Sequence, residues 1–161
     1  MPKLICIHGP MAVGKSTITE MLMKKLPNFS YVDRPNIKRG LKPAGRQNSL
    51  IISKQATYFI IKELMKIKKD IIVEEINPTS IKKKLNKYIK KNKYKIYSFY
   101  LLCSLNEAIK RDIKRSKKSR KNRVKQIHKE FESINKEGIF INTEKLTANQ
   151  TLKLILKEIK N

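Results

Sequence analysis

His8-Gly9-Pro10-Met11-Ala12-Val13-Gly14-Lys15-Ser16 carries G-x-x-x-x-G-K-[ST] at Gly9, Gly14, Lys15 and Ser16. An apolar run from Leu4 to Ile7 leads into it, and a helical pattern from Thr17 to Leu26 follows. That context reads as strand, phosphate-cradling loop and helix. The two glycines let backbone N–H groups of Met11, Ala12 and Val13 wrap a polyphosphate, and the positive end of the new helix favours the anion. Lys15 is placed to reach the β- and γ-phosphates, Ser16 to ligate Mg²⁺ through its hydroxyl, and Thr17 to bond the α-phosphate. A βα turn that binds nothing has no use for Lys and Ser at those two positions.

Working outward, Lys3 to Ile7 reads as a buried parallel strand, and Pro27-Asn28 stop the helix near Leu26. Phe29 to Val32 form a second strand with Asp33 at its carboxyl end, the edge where ligands gather in open α/β sheets. Asp33 is therefore the candidate to orient an acceptor hydroxyl and take its proton; the plainer alternative is a cap on the next turn, helped by Pro35. From Arg34 to Ser49 the chain is polar and basic, interrupted by Pro35, Gly40, Pro43 and Gly45, and reads either as a substrate segment using Arg34 and Arg46 or as a solvated loop. A packing helix is expected next, with Ile52, Ala56, Phe59, Ile60 and Leu64 on its inner face.

Ile71-Ile72-Val73 reads as the third strand, ending in Glu74-Glu75. A carboxylate there can hold the Mg²⁺ shell opposite Ser16, Glu74 first and Glu75 in reserve. Asn77-Pro78 is a helix start, with Ile81, Leu85, Tyr88 and Ile89 as the apolar stripe. Tyr94 to Leu102 makes the fourth strand, and Ser104 with Glu107 fits a capping box for a helix carrying Arg111 and Arg115 on one face. The basic stretch Ser116 to Lys125, with Arg120 and Arg123 and no apolar periodicity of its own, is the candidate lid over residues 111–125. Ile139 to Ile141 forms the fifth strand; Thr147 with Gln150 is a second capping box before a helix with Leu152, Ile155, Leu156 and Ile159 inward. His8 is expected to support the loop and His128 to sit on a helix surface; neither has a metal-ligand partner by spacing.

Length and composition bound the rest. The 161 residues suit one domain with one core, no run of 18 apolar residues suggests a membrane span, and Lys3 followed by a strand, rather than a long apolar stretch with a cleavage site, is expected of a chain that is not secreted. Cys6 and Cys103 read as reduced core thiols of a cytoplasmic protein. The net charge of +25 invites a nucleic-acid partner, but 31 Lys, 23 Ile and 12 Asn are the bias of A/T-rich coding. The lysines are spread over every helix and form no arginine-rich, aromatic-laced stripe, so a small-molecule acceptor is preferred to nucleic acid.

With five βα units in place, the chain resembles the small P-loop kinases of the adenylate-kinase-like group, near shikimate and gluconate kinases, zeta toxins and polynucleotide 5′-hydroxyl kinases. The likeness rests on residues 9–16, Asp33, the Ile71–Asn77 stretch, Arg111-x-x-x-Arg115 and the Ile141–Thr147 run. It implies a three-layer α/β fold with a five-stranded parallel sheet of order 2-3-1-4-5, a mobile lid, and transfer of the ATP γ-phosphoryl to an acceptor hydroxyl or phosphate. It also implies that Arg111 stacks on adenine and Arg115 contacts the transferring phosphate. Glu74 stands where the family commonly has aspartate, and Ile76 where it has a small polar residue. The expected activity is an ATP- and Mg²⁺-dependent kinase acting on a small metabolite, nucleoside or nucleotide; the alternatives are a kinase of nucleic-acid 5′-hydroxyl ends and a nucleotide-binding switch that transfers nothing.

Overall fold

The computed structural model describes residues 1–75, 79–116 and 120–160. Five strands, β1 (Lys3–His8), β2 (Ser30–Val32), β3 (Ile71–Glu74), β4 (Lys95–Leu102) and β5 (Ile139–Asn142), form one parallel sheet in the order β2-β3-β1-β4-β5. The helices are α1 (Lys15–Lys25), α2 (Arg34–Gly40), α3 (Arg46–Lys66), α4 (Thr79–Lys91), α5 (Leu105–Ser116), α6 (Lys121–Glu132) and α7 (Ala148–Lys160), with a 3₁₀ turn at Lys42–Ala44. Strand alternation sends each sheet residue to one of two cores. Ile5 and Ile7 of β1 meet Ile18, Leu22, Leu152 and Ile155 of α1 and α7, whereas Leu4 and Cys6 meet Ile61, Met65, Ile81 and Leu85 of α3 and α4. The strand order and layering are those the resemblance implied. Truncating a wholly buried member such as Leu22 to Ala costs about 2–5 kcal/mol.

Four local expectations change. The 34–49 segment is not a loop: α2 starts at Arg34, and α3 starts at Arg46. The inner face of α3 is Ser49, Ser53, Thr57, Ile61 and Met65, while Ile52, Phe59 and Ile60 face outward. Each buried hydroxyl bonds a carbonyl of its own helix (Ser49 to Arg46, Ser53 to Leu50, Thr57 to Ser53), which lets polar side chains lie inward without an unmet donor. The stretch after Arg120 does have an apolar stripe, since α6 buries Val124, His128 and Phe131, so His128 is not a surface residue. At the first capping box, Ser104 Oγ accepts from the Glu107 N–H, but the reciprocal bond to the Ser104 N–H comes from Glu144, and the Glu107 carboxylate accepts from Arg111. The second box is complete, with Thr147 and Gln150 bonding each other's backbone N–H. The helix start expected at Asn77-Pro78, and residues 117–119 of the candidate lid, lie outside the described residues.

Candidate active site

The loop between β1 and α1 turns with three positive φ values, at Gly9 (147°), Ala12 (65°) and Gly14 (95°). A Cβ on Gly9 would sit 2.4 Å from the Leu101 carbonyl oxygen, so only glycine lets the loop pass β4. Gly14 is the N-cap of α1; no side chain caps the helix there and no acid stands in its first turn. The first-turn N–H groups of a helix lack intrahelical partners, so this end is left to meet an anion. Two distant residues pin the loop: Thr143 Oγ1 donates to the Val13 carbonyl (3.0 Å), and His128 Nε2 donates to the Met11 carbonyl (3.0 Å). His8, buried in β1, bonds the Glu75 carbonyl through Nδ1 (3.1 Å) and thereby supports the end of β3.

Lys15, Ser16 and Glu74 come together at the mouth of the loop. Lys15 Nζ donates to the Pro10 carbonyl (2.7 Å) and stands 3.9 Å from Glu74, whose carboxylate accepts from Ser16 Oγ at 3.2 Å. Register explains the meeting, because Glu74 pairs with Ile7 beside the loop. Burial pulls the Lys15 ammonium below the usual lysine value, with Glu74 opposing and Arg115 adding to the fall. Burial likewise pushes the Glu74 carboxyl up, against Lys15 and the Ser16 hydroxyl. A desolvated ammonium beside unmet helix N–H groups suits a phosphate chain, and a hydroxyl beside a carboxylate suits a hard cation such as Mg²⁺. The residues therefore fit both ATP and Mg²⁺. Between the two acids the geometry distinguishes clearly: Glu74 faces Ser16, and Glu75 faces Arg34 Nη1 at 2.5 Å.

A cavity of about 610 Å³ over the loop is lined by Gly14, Lys15, Ser16, Thr17 and Glu74, and by Arg115, Arg120 and Arg123. Three of the four arginines of the candidate lid thus line the cavity over the loop. They are organised by Asp112, a buried carboxylate on α5 that receives Arg120 through both oxygens and lies 3.7 Å from Arg115. Arg111 does not line this cavity. Its guanidinium is fixed by Glu107 (2.7 Å), Thr143 Oγ1 (3.0 Å) and the Thr143 carbonyl (2.8 Å).

A second cavity, of about 570 Å³, shares Lys15, Glu74, Pro35, Arg123 and Ile127 with the first and extends past Arg34, Lys38, Arg46, Leu50 and Lys54. Arg34 and Arg46, the candidate substrate residues, line this cavity. Asp33 does not: it is the N-cap of α2, with Oδ1 accepting from the Asn36 N–H (2.9 Å) and Oδ2 from the Asn36 side chain, and it lines neither cavity. The position drew it toward catalysis, but an Asx cap before Arg34-Pro35 uses the same carboxylate. In the sequence Asp112 went unnoticed, Thr143 entered only as part of the Ile141–Thr147 run, and His128 was expected on a helix surface rather than at the loop. An isolated acid in the basic Lys110–Arg115 run was the one available signal, and it pointed to Asp112.

No family model matches the chain. Over 70 residues it is 40% identical to a bifunctional pantoate ligase/cytidylate kinase of Prochlorococcus marinus (strain MIT 9301), covering 44% of this chain and only 12% of that protein. Among solved structures, the Mycobacterium tuberculosis APS kinase in complex with AMPPNP and APS superposes with a TM-score of 0.71 at 14% identity, covering 99% of this chain and 98% of that one. A deoxyadenosine kinase from M. mycoides with bound dATP gives 0.64 at 18% identity, with 98% of each chain covered. The chain has the fold of the small P-loop kinases. Small P-loop kinases with different acceptors share this scaffold, so the acceptor has to be argued from the cavity and not from the fold. Among the described residues, no helix of this P-loop kinase fold is long and apolar enough to cross a membrane.

Proposed function

We propose that the chain is an ATP- and Mg²⁺-dependent kinase that transfers the γ-phosphoryl of ATP to a small metabolite, nucleoside or nucleotide. The observation that carries this reading is the junction of two cavities at Lys15 and Glu74, one along the loop and the α1 N-terminus, the other running toward α2 and α3. A donor phosphate chain in one cavity and an acceptor in the other would meet at that junction.

In this reading the loop N–H groups, Lys15 and Thr17 would hold the phosphates, and Ser16 with Glu74 would hold Mg²⁺, directly or through water, which would supply positive charge against the phosphate chain. An acceptor oxygen forms the new bond to the γ-phosphorus; the bond from that phosphorus to the β,γ-bridging oxygen breaks, ADP leaves with the electron pair, and an acceptor hydroxyl also releases its proton to solvent, whereas an ionised phosphate has none to release. Arg115, Arg120 and Arg123 act as the lid cations, meeting the phosphates when the 111–125 segment closes, and Arg111 presents its fixed guanidinium plane to the base. The test is a screen of purified protein with γ-labelled ATP against nucleosides, nucleotides, sugars, polyols and 5′-hydroxyl oligonucleotides. Acceptor-dependent ADP release that disappears in Lys15→Ala supports the kinase. Slow hydrolysis unaffected by every acceptor supports a switch instead, and labelling confined to oligonucleotide ends transfers the activity to nucleic acid.

A further inference from the structure

The cations of the acceptor cavity outnumber their partners. Its lining holds Lys15, Arg34, Lys38, Arg46, Lys54 and Arg123 against Glu74, Glu75 and Glu130. Glu74 is engaged by Lys15 and Ser16, Glu75 by Arg34, and Glu130 accepts from Gln126 Nε2 at 2.8 Å. Among the described residues, Lys38, Arg46 and Arg123 enter no ion pair. They also press on one another: Lys38 is pulled below the usual lysine value by burial, then by Arg123, Arg34 and Arg46. Like charges gathered from α2, α3 and α6 around one cavity raise its energy until an anion enters, and a dianion compensates three or four such groups better than a carboxylate does. Guanidinium groups match phosphate by their paired donors.

The lining has a second property. Among the described residues, each carboxylate of the lining already has a partner, Glu74 in Lys15 and Ser16, Glu75 in Arg34 and Glu130 in Gln126, and Asp33 caps α2, so none stands open toward an acceptor hydroxyl. A hydroxyl acceptor needs its proton removed. A phosphomonoester does not, because with a second pKa of about 6 it is already a nucleophilic anion at neutral pH.

We propose, resting on the kinase reading above, that the acceptor is a small phosphomonoester held by Arg34, Lys38, Arg46 and Arg123, and that its phosphate receives the transferred phosphoryl. A phosphate oxygen of the acceptor bonds to the γ-phosphorus, a phosphoanhydride forms, the bond to the β,γ-bridging oxygen breaks, and ADP leaves with that electron pair; no proton has to move. Pro35, Leu50 and Ile127 supply the apolar wall for the carbon part of the acceptor, in a volume of about 570 Å³ that suits a nucleotide-sized molecule.

The experiment has a binding arm and a turnover arm. The AMPPNP-loaded protein is titrated by calorimetry with AMP, CMP, GMP, UMP, dTMP, ribose 5-phosphate and the matched unphosphorylated compounds, for wild type, Arg46→Gln and Lys38→Gln. The expected result is binding of at least one phosphomonoester, its nucleoside or sugar at least tenfold weaker, and a further loss of roughly tenfold in each variant. Turnover with labelled ATP should convert that monophosphate to a diphosphate, with the variants raising its KM and leaving the KM for ATP unchanged. Equal binding of phosphorylated and unphosphorylated members, or variants that bind like wild type, overturns the site. Phosphoryl transfer to hydroxyl acceptors alone, or to 5′-hydroxyl oligonucleotides alone, overturns it while leaving a kinase in place. Variant-sensitive binding of a phosphomonoester that is never phosphorylated retains the anion site but overturns transfer to it; the kinase reading falls only if no acceptor of any class is phosphorylated.

Discussion

Replacing Asp112 with Asn separates a structural clamp from an ornamental ion pair. Asp112 is 1% exposed and is met by Arg120 through both oxygens, with Arg115 at 3.7 Å. Removing one partner of a fully buried pair costs about 3–5 kcal/mol, and an exposed pair is worth less than about 1 kcal/mol. The Arg120 side chain is 41% exposed and stays hydrated when released, so the expected loss lies between those limits, at about 1–3 kcal/mol. For a chain of this size that lowers Tm by roughly 3–10 °C, and since Asn keeps the shape of Asp no cavity contributes. The kinetic effect follows from geometry. Arg115 and Arg120 both line the phosphate cavity from their shared carboxylate, so without it each must be ordered during the reaction. The expected signature is a fall of about tenfold or more in kcat with little change in the KM for ATP. Differential scanning fluorimetry and labelled-ATP transfer measure the two halves. Arg120→Gln should reproduce most of the loss, and the double variant should add little to either single one. Additive losses, or a single Asp112→Asn variant with wild-type Tm and kcat, would refute the clamp.

Other substitutions test the remaining assignments. Lys15→Ala should abolish transfer and weaken ATP binding, measured by calorimetry, because it removes the loop's own cation; near-normal turnover would reject the phosphate-loop assignment. Glu74→Gln should raise the Mg²⁺ concentration needed for half-maximal rate several-fold, whereas Glu75→Gln should act through Arg34 and leave that requirement alone; the reverse pattern would exchange their roles. Asp33→Ala should cost about 0.5–2 kcal/mol as a lost cap, read from urea midpoints, with transfer intact; a hundredfold slower Asp33→Asn at unchanged Tm would restore a base at that position. Because burial raises the Glu74 carboxyl in the fold, its neutral form is favoured there. Wild type should therefore lose stability relative to Glu74→Gln as pH rises through the ordinary carboxyl range and level off above the folded value; a difference independent of pH would contradict the raised value.

Where the candidate site is local in sequence, its geometry was legible. The glycine loop lies within nine residues, and its glycines, Lys15 and Ser16 sit where the motif puts them, with Glu74 delivered opposite by strand register. Helix faces were legible only where apolar side chains carry the packing. Ile81, Leu85 and Ile89 behave this way on α4, and Leu152, Ile155 and Ile159 on α7. On α3 the rule pointed to the wrong face, because Ser49, Ser53 and Thr57 satisfy their hydroxyls on the helix itself and can be buried without a further partner. On α6 the stripe Val124-His128-Phe131 was hidden for a related reason, since its middle member is a histidine buried by its bond to the loop.

The cavity proposed for the acceptor could not be read in the same way, and the reason is physical. It is assembled from Arg34 and Lys38 on α2, Arg46 and Lys54 on α3, Glu75 after β3, and Arg123 on α6, elements far apart in the chain. In a protein with 38 basic residues, a cation that binds a ligand and one that only reflects composition look identical in one dimension. Three dimensions separate them by two conditions: the cation lines a cavity with others of its sign, and no carboxylate answers it. Lys38 meets both, being pressed by Arg123, Arg34 and Arg46 without an ion pair among the described residues, whereas Lys66 has Glu63 within 2.8 Å on an open helix face. That contrast makes Lys38→Gln more informative than any surface lysine. If the cavity cations are there for an anion, Lys38→Gln should weaken phosphomonoester binding and at the same time stabilise the ligand-free fold slightly, because it relieves repulsion that only the ligand otherwise removes. A surface lysine variant such as Lys66→Gln should do neither, and a Lys38→Gln variant that loses Tm without ligand would mean that the repulsion is already answered within the fold.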